Sequence, residues 1–178
     1  AVPPTHERSN YREARSSLLE SAEAAGAKVR RMVGEAADLP AEAARYAALL
    51  EAEVAADSAG GPPRLDAVVL GVGDDGHFAS LFPGAPEIRR ADAWALAVPA
   101  APGREARLTL SAPVLCAARA SWVLVTGAKK GPALRAVAAA TGTPEETPAR
   151  LLHDHVGDLT WLLDEAAARA ADLGVSPS

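Results

Sequence analysis

Short apolar runs closed off by turn residues alternate along this chain with alanine-rich stretches of helical spacing, and that alternation restricts the fold more than any other feature. The runs lie at residues 65–70, 93–98, 107–110, 121–126 and 159–163. Each is short and apolar enough to read as a buried strand. Helical patterns occupy 11–25, 38–54, 112–118, 132–140 and 164–173. Strands separated by helices imply βαβ units, hence an α/β fold with three layers: a mainly parallel sheet and helices on both faces. Start and stop signals agree with these bounds. Ser9 or Asn10 is placed to cap the first helix and Gly26 to end it, while Asp38 caps the second with Pro40 in its first turn. Residues 1–10 read as a loop, 28–33 as a further strand candidate, and 57–63 as a firm break.

Composition narrows the class. The chain has 178 residues, 49% of them apolar and 23% charged, with a net charge of −5. That suits one soluble domain over 1–178 and disfavours a disordered chain. No basic block is available to neutralise phosphates, so nucleic acid is excluded as a partner, and an anionic membrane surface fits poorly. No apolar run approaches the roughly 18 residues of a spanning helix, and no secretory signal opens the chain. The single cysteine, Cys116, has no partner for an internal disulfide, which points to a reducing, cytoplasmic setting and an inert core thiol. Trp94, Trp122 and Trp161 all fall in predicted strands and read as core.

Chemistry concentrates in residues 70–84, where the first confident strand ends. Open α/β sheets place their sites at carboxyl strand ends. Gly71, Gly73 and Gly76 fit the spacing of a dinucleotide loop, but Pro83-Gly84 leaves no room for the long helix such a loop must open. Asp74 and Asp75 would also repel a pyrophosphate. His77 is the stronger lead. An unperturbed imidazole is mostly neutral at cytosolic pH and accepts a proton, and a neighbouring carboxylate can fix its tautomer. The competing account is a histidine that merely decorates an exposed turn. His153 and His155 lack further ligands at convincing spacing for a metal, and His155 reads as a loop residue supporting the last strand.

The stretch Leu70-Gly71-Val72-Gly73-Asp74-Asp75-Gly76-His77-Phe78-Ala79-Ser80-Leu81-Phe82-Pro83-Gly84 resembles the signature of the 6-phosphogluconolactonases. That signature is written leucine-glycine-x-glycine, any residue, then Asp-Gly-His-x-Ala-Ser-Leu-Phe-Pro-Gly. Four further segments are similar to the family. They are Val2-Pro3-Pro4 through Ser9-Asn10-Tyr11, Arg107-Leu108-Thr109-Leu110 with Pro113-Val114-Leu115, residues 123–127 followed by Lys130, and residues 148–163. The family also begins with a βα unit carrying a glycine-rich phosphate loop and a strand with Asp-Glu-Arg. This sequence starts just after that strand, at Ala1, and is expected to be a fragment whose exposed edge the missing segment or another copy would cover.

The resemblance implies a fold like that of glucosamine-6-phosphate deaminases, and metal-independent hydrolysis of 6-phospho-D-glucono-1,5-lactone without a cofactor. His77 is then the general base on water and Asp75 its orienting carboxylate. Backbone amides of Gly73 and Gly76 are candidates for the oxyanion, Lys130 for the 6-phosphate, and Asn10 for the pocket wall. Arg107 serves either the anion or a core carboxylate. Two rivals remain at this stage: a deaminase, which would carry Ile-Ala-Phe-Asn-Glu-Pro after the histidine, and a family remnant that binds without catalysing.

Overall fold

A computed structural model describes residues 2–174, so Ala1 of the opening loop lies outside the described residues. Strands β1 (Ala67–Gly71), β4 (Ala120–Val125) and β5 (Asp158–Leu163) form a parallel sheet in the order β1-β4-β5. Register pairs Gly71 with Leu124, and Val125 with Leu163, so the carboxyl ends of all three strands share one rim. Strands β2 (Ala95–Val98) and β3 (Arg107–Leu110) form a separate antiparallel pair. The mixed α/β class and mainly parallel sheet agree with the alternation in the sequence. The antiparallel pair departs from it, for a physical reason: only residues 99–106 join the two strands, too few for a parallel crossover. The link instead turns through Gly103 at φ 74°, with reciprocal Ala101 and Arg104 backbone hydrogen bonds of 2.9 and 2.8 Å.

Six α-helical segments are described: α1 (Asn10–Ala14), α2 (Glu20–Ala24), α3 (Leu39–Glu53), α4 (Ala112–Cys116), α5 (Gly131–Ala138) and α6 (Glu165–Ala170). A π-helical turn at Arg15–Leu19 joins α1 to α2. The Ser9 hydroxyl accepts from Arg12 N–H and the Asp38 carboxylate from Ala41 N–H, so these two residues are the caps and Asn10 is the first helical residue. The 28–33 segment forms no strand. It is held to α3 instead, where the buried Glu42 carboxylate accepts the Val33 N–H at 2.7 Å and the Tyr46 hydroxyl donates to the Arg30 carbonyl at 3.1 Å.

One face of the parallel sheet carries the core. Leu70, Val123 and Val125 pack with Leu115 of α4, Leu134 and Val137 of α5, and Ala167 of α6. Phe78 and Leu81, both at 0% exposure, belong to the same cluster and nail the loop after β1 into it. The opposite face leaves Val69, Trp122, Leu124 and Leu162 exposed, so the second helical layer expected from the sequence does not cover these side chains. Trp122 is accordingly not a core residue. Trp161 packs against the core, and Trp94 donates its indole N–H to Glu51 at 2.7 Å just before β2. Cys116 is buried, its thiol donating to the Leu151 carbonyl at 3.3 Å, and burial pushes its pKa up to about 11. Among the described residues no helix is long and apolar enough to cross a membrane.

Candidate active site

The loop after β1 opens no helix. It folds as consecutive tight turns braced by bridges between Val72 and Phe78 and between Phe78 and Leu81. A dinucleotide loop needs its glycines at a helix N-terminus, so the loop's own conformation removes that reading. Outside bonds then fix it in place. The Gly76 carbonyl accepts from Ala149 N–H at 2.9 Å, Ser80 N–H donates to the Thr109 hydroxyl at 3.1 Å, and Gly84 N–H donates to the Glu145 carbonyl at 2.8 Å.

Within this frame Asp75 and His77 meet. The Asp75 carboxylate takes the His77 backbone N–H at 3.1 Å and lies 2.5 Å from the imidazole Nδ1. An ionised carboxylate only accepts, so the proton on the ring sits at Nδ1 and the Nε2 lone pair is left as the basic site. Burial raises the Asp75 carboxyl, but the two hydrogen bonds from His77 outweigh it and hold the group below the ordinary carboxylate range. The imidazole side chain is 30% exposed, open enough for water to reach it. Glycines make the geometry possible. A Cβ at Gly73 would lie 2.0 Å from His77 Nδ1 and 2.6 Å from the Asp75 carboxylate, and Gly76 has φ +80° with Thr147 close by.

Two expected roles meet a different arrangement. The Gly73 amide donates to the His77 carbonyl at 2.8 Å and the Gly76 amide to the Gly73 carbonyl at 3.0 Å. Both N–H groups hold the loop together, and neither is available to an oxyanion in this conformation. Lys130 stands where it was expected, in the 3₁₀ turn Ala128–Lys130 after β4, but its ammonium lies 2.6 Å from the Asp74 carboxylate. That ammonium holds the Asp74 carboxyl below its ordinary range. Lys130 and His77 are therefore joined to one loop from two sides, through Asp74 and Asp75.

Asn10 and Arg107 come together elsewhere, on the wall of a cavity of about 640 Å³ that Arg8, Arg31, Arg104 and Ser80 also line. Arg8 pairs with Glu105 and Arg31 with Glu35. The Nε–H groups of Arg104 and Arg107 are buried without a hydrogen-bond partner. Among the described residues Arg107 pairs with no carboxylate. His77 is not on that wall, although Ser80 of its own loop is. Phe82 forms the link, its ring centroid 4.5 Å from the imidazole on one side and 3.8 Å from the Arg104 guanidinium carbon on the other. Arg104 escaped the sequence reading because it belongs to no motif. Its position just after the Pro102-Gly103 turn was a visible signal, but only the fold stacks it on Phe82. His155 sits in the loop before β5 and braces its start, as expected: its Nδ1 accepts from Gly157 N–H at 3.1 Å and its Nε2 lies 2.8 Å from the Ser121 hydroxyl.

Known proteins sharpen this picture. The sequence model of the glucosamine-6-phosphate isomerases/6-phosphogluconolactonase family matches residues 1–161. A 6-phosphogluconolactonase of Synechocystis is 37% identical over 169 residues, which cover 93% of this chain and 68% of that protein. The human 6-phosphogluconolactonase is 39% identical over 137 residues, covering 74% of this chain and 51% of its own length. A solved 6-phosphogluconolactonase of Trypanosoma brucei superposes with a TM-score of 0.74 at 30% identity, covering 94% of this chain and 70% of that one. The chain thus spans about half of the human relative and roughly two thirds of the other two.

Proposed function

Since the chain belongs to the glucosamine-6-phosphate isomerase/6-phosphogluconolactonase family, we propose that it serves the hydrolysis of 6-phospho-D-glucono-1,5-lactone to 6-phospho-D-gluconate, the second step of the oxidative pentose phosphate pathway. The observation that carries this reading is the Asp75–His77 pair, which aims one basic nitrogen away from its carboxylate. Water attacks the C1 carbonyl while His77 Nε2 accepts one of its protons. The tetrahedral adduct collapses by breaking the bond from C1 to the ring oxygen, and the imidazolium returns the proton to that oxygen. Asp75 stabilises the imidazolium without becoming protonated itself. The substrate's phosphate is taken on the arginine side, with Arg107 and Asn10 on the wall and Lys130 available only once it leaves Asp74. A cytosolic setting accords with the buried, unpaired Cys116.

The deaminase reading finds no support in the residues after the histidine, where Phe78, Leu81 and Phe82 build the loop's anchor and the stack on His77. A direct assay separates the two: the chain is incubated with the phosphorylated lactone, and in parallel with glucosamine 6-phosphate. Lactone opening above the spontaneous rate is expected, lowered roughly 10²–10⁴-fold in His77→Ala, the usual contribution of a general base. Ammonia release from glucosamine 6-phosphate would overturn the assignment.

A further inference from the structure

We propose that Arg104 is a further substrate-binding residue, one that takes a phosphate monoester in the same cavity as Arg107 and fixes the reacting end through Phe82. The inference rests on the lactonase reading above and adds to it a residue outside every segment that carries the family resemblance. Three observations converge. Arg104 lines the cavity together with Asn10 and Arg107. Its Nε–H is buried with no hydrogen-bond partner, as is that of Arg107 three residues further along the chain. And among the described residues neither guanidinium forms an ion pair, whereas Arg8 and Arg31 beside them are tied to Glu105 and Glu35.

Buried N–H donors without partners are rare because each forgoes a bond that water would have supplied. Two guanidinium groups that, among the described residues, meet no carboxylate stand on one cavity wall, and their charge is left for an anion from outside the chain. A planar guanidinium suits phosphate oxygens, to which it can donate in pairs. Glu105 is the one carboxylate on the wall, and its pairing with Arg8 offsets its repulsion of an anion. Stacking adds orientation. With its carbon 3.8 Å from the Phe82 ring centroid, the Arg104 guanidinium makes a cation–π contact that anchors it before a ligand arrives. The same ring packs 4.5 Å from His77, so an anion gripped by Arg104 is placed at a set position relative to the base.

The test is calorimetric binding to the intact chain of 6-phosphogluconate, gluconate and inorganic phosphate, for the parent and for Arg104→Ala, Arg104→Lys and Arg104→Gln. The parent should bind 6-phosphogluconate more tightly than gluconate. Arg104→Ala should weaken 6-phosphogluconate about 10- to 100-fold, the effect of a lost charged hydrogen bond, and leave gluconate unchanged. Arg104→Lys, retaining charge but not the planar fork, should recover only part of the loss, and Arg104→Gln less. Circular dichroism checks that each variant is folded; Arg104 is not a member of the core cluster, and the lysine variant retains most of its length. Unaltered 6-phosphogluconate binding in Arg104→Ala, or equal weakening of both sugar acids, overturns the role of Arg104 and leaves the lactonase reading standing. A parent chain that binds neither sugar acid overturns both.

Discussion

The imidazole, the carboxylates and the Gly73 and Gly76 amides of the loop after β1 all bond within the chain, whereas the arginine cavity beside it retains two buried guanidinium Nε–H groups with no partner. The loop is finished within the chain, by its own bonds and by those from Thr109, Glu145, Ala149 and Lys130. Short-range bonds, two fully buried apolar anchors and two glycines hold Asp75 against His77 without help from a ligand. The cavity is the reverse, a wall on which, among the described residues, Arg104 and Arg107 meet no carboxylate while Arg8 and Arg31 do. Catalytic groups must be preorganised before the reaction, while binding groups keep their capacity in reserve. The contrast also sorts the cations. Lys130, the residue that sequence resemblance points to for phosphate, lies on the finished side, held by Asp74, and the arginines lie on the open side.

Three substitutions would break or sharpen this contrast. The largest effect is expected in the loop. Asp75→Asn replaces a carboxylate that only accepts with an amide that can also donate to the ring, so the His77 tautomer is no longer fixed, and kcat for the lactone should fall about 100-fold with KM little moved, as measured by initial rates. A drop in kcat smaller than threefold would mean that the pair is structural decoration. Next, Arg107→Ala should raise KM for the phosphorylated lactone about tenfold and leave unphosphorylated gluconolactone unaffected. The smallest effect belongs to Lys130→Ala. An exposed ion pair contributes little, so KM should shift by no more than about fivefold. If Lys130→Ala instead exceeds Arg107→Ala, the ammonium leaves Asp74 to meet the phosphate, and the division between the two regions collapses.

Much of this was legible before any coordinates. Asp38 and Pro40 announced the start of α3, the strands at Ala67–Gly71 and Asp158–Leu163 lie where apolar runs place them, and the glycine-histidine loop sits at a strand end. These features are local: caps, periodicity and turn chemistry act within a few residues. What escaped the reading depends on partners distant in sequence. Apolar side chains on both faces of β4 suggest burial on both sides, but Trp122 and Leu124 stand exposed because covering a face is a property of the whole assembly of elements. The 28–33 segment has strand-like residues yet finds no strand to pair with, and Glu42 and Tyr46 of α3 hold it instead. The antiparallel β2–β3 pair was readable from the length of its link, a constraint that outweighs the α/β alternation. In the site, the family resemblance named Asp75 as the carboxylate for His77, but only the fold brings the two to 2.5 Å. The pairing of Lys130 with Asp74 and the Arg104–Phe82–His77 stack were not anticipated, since neither follows from proximity in the chain.

The central claim is that Asp75 holds His77 with its proton on Nδ1 and a free lone pair on Nε2. Nitrogen-15 NMR of the chain with isotope-labelled histidine, recorded where the imidazole is neutral, reads that tautomer directly, and His77→Ala assigns the signal. A protonated Nδ1 and an unprotonated Nε2 at His77, lost in favour of a tautomer mixture in Asp75→Ala, is the predicted result. A His77 signal with its proton on Nε2 would place the lone pair against a carboxylate and leave no base facing the water, contradicting the account.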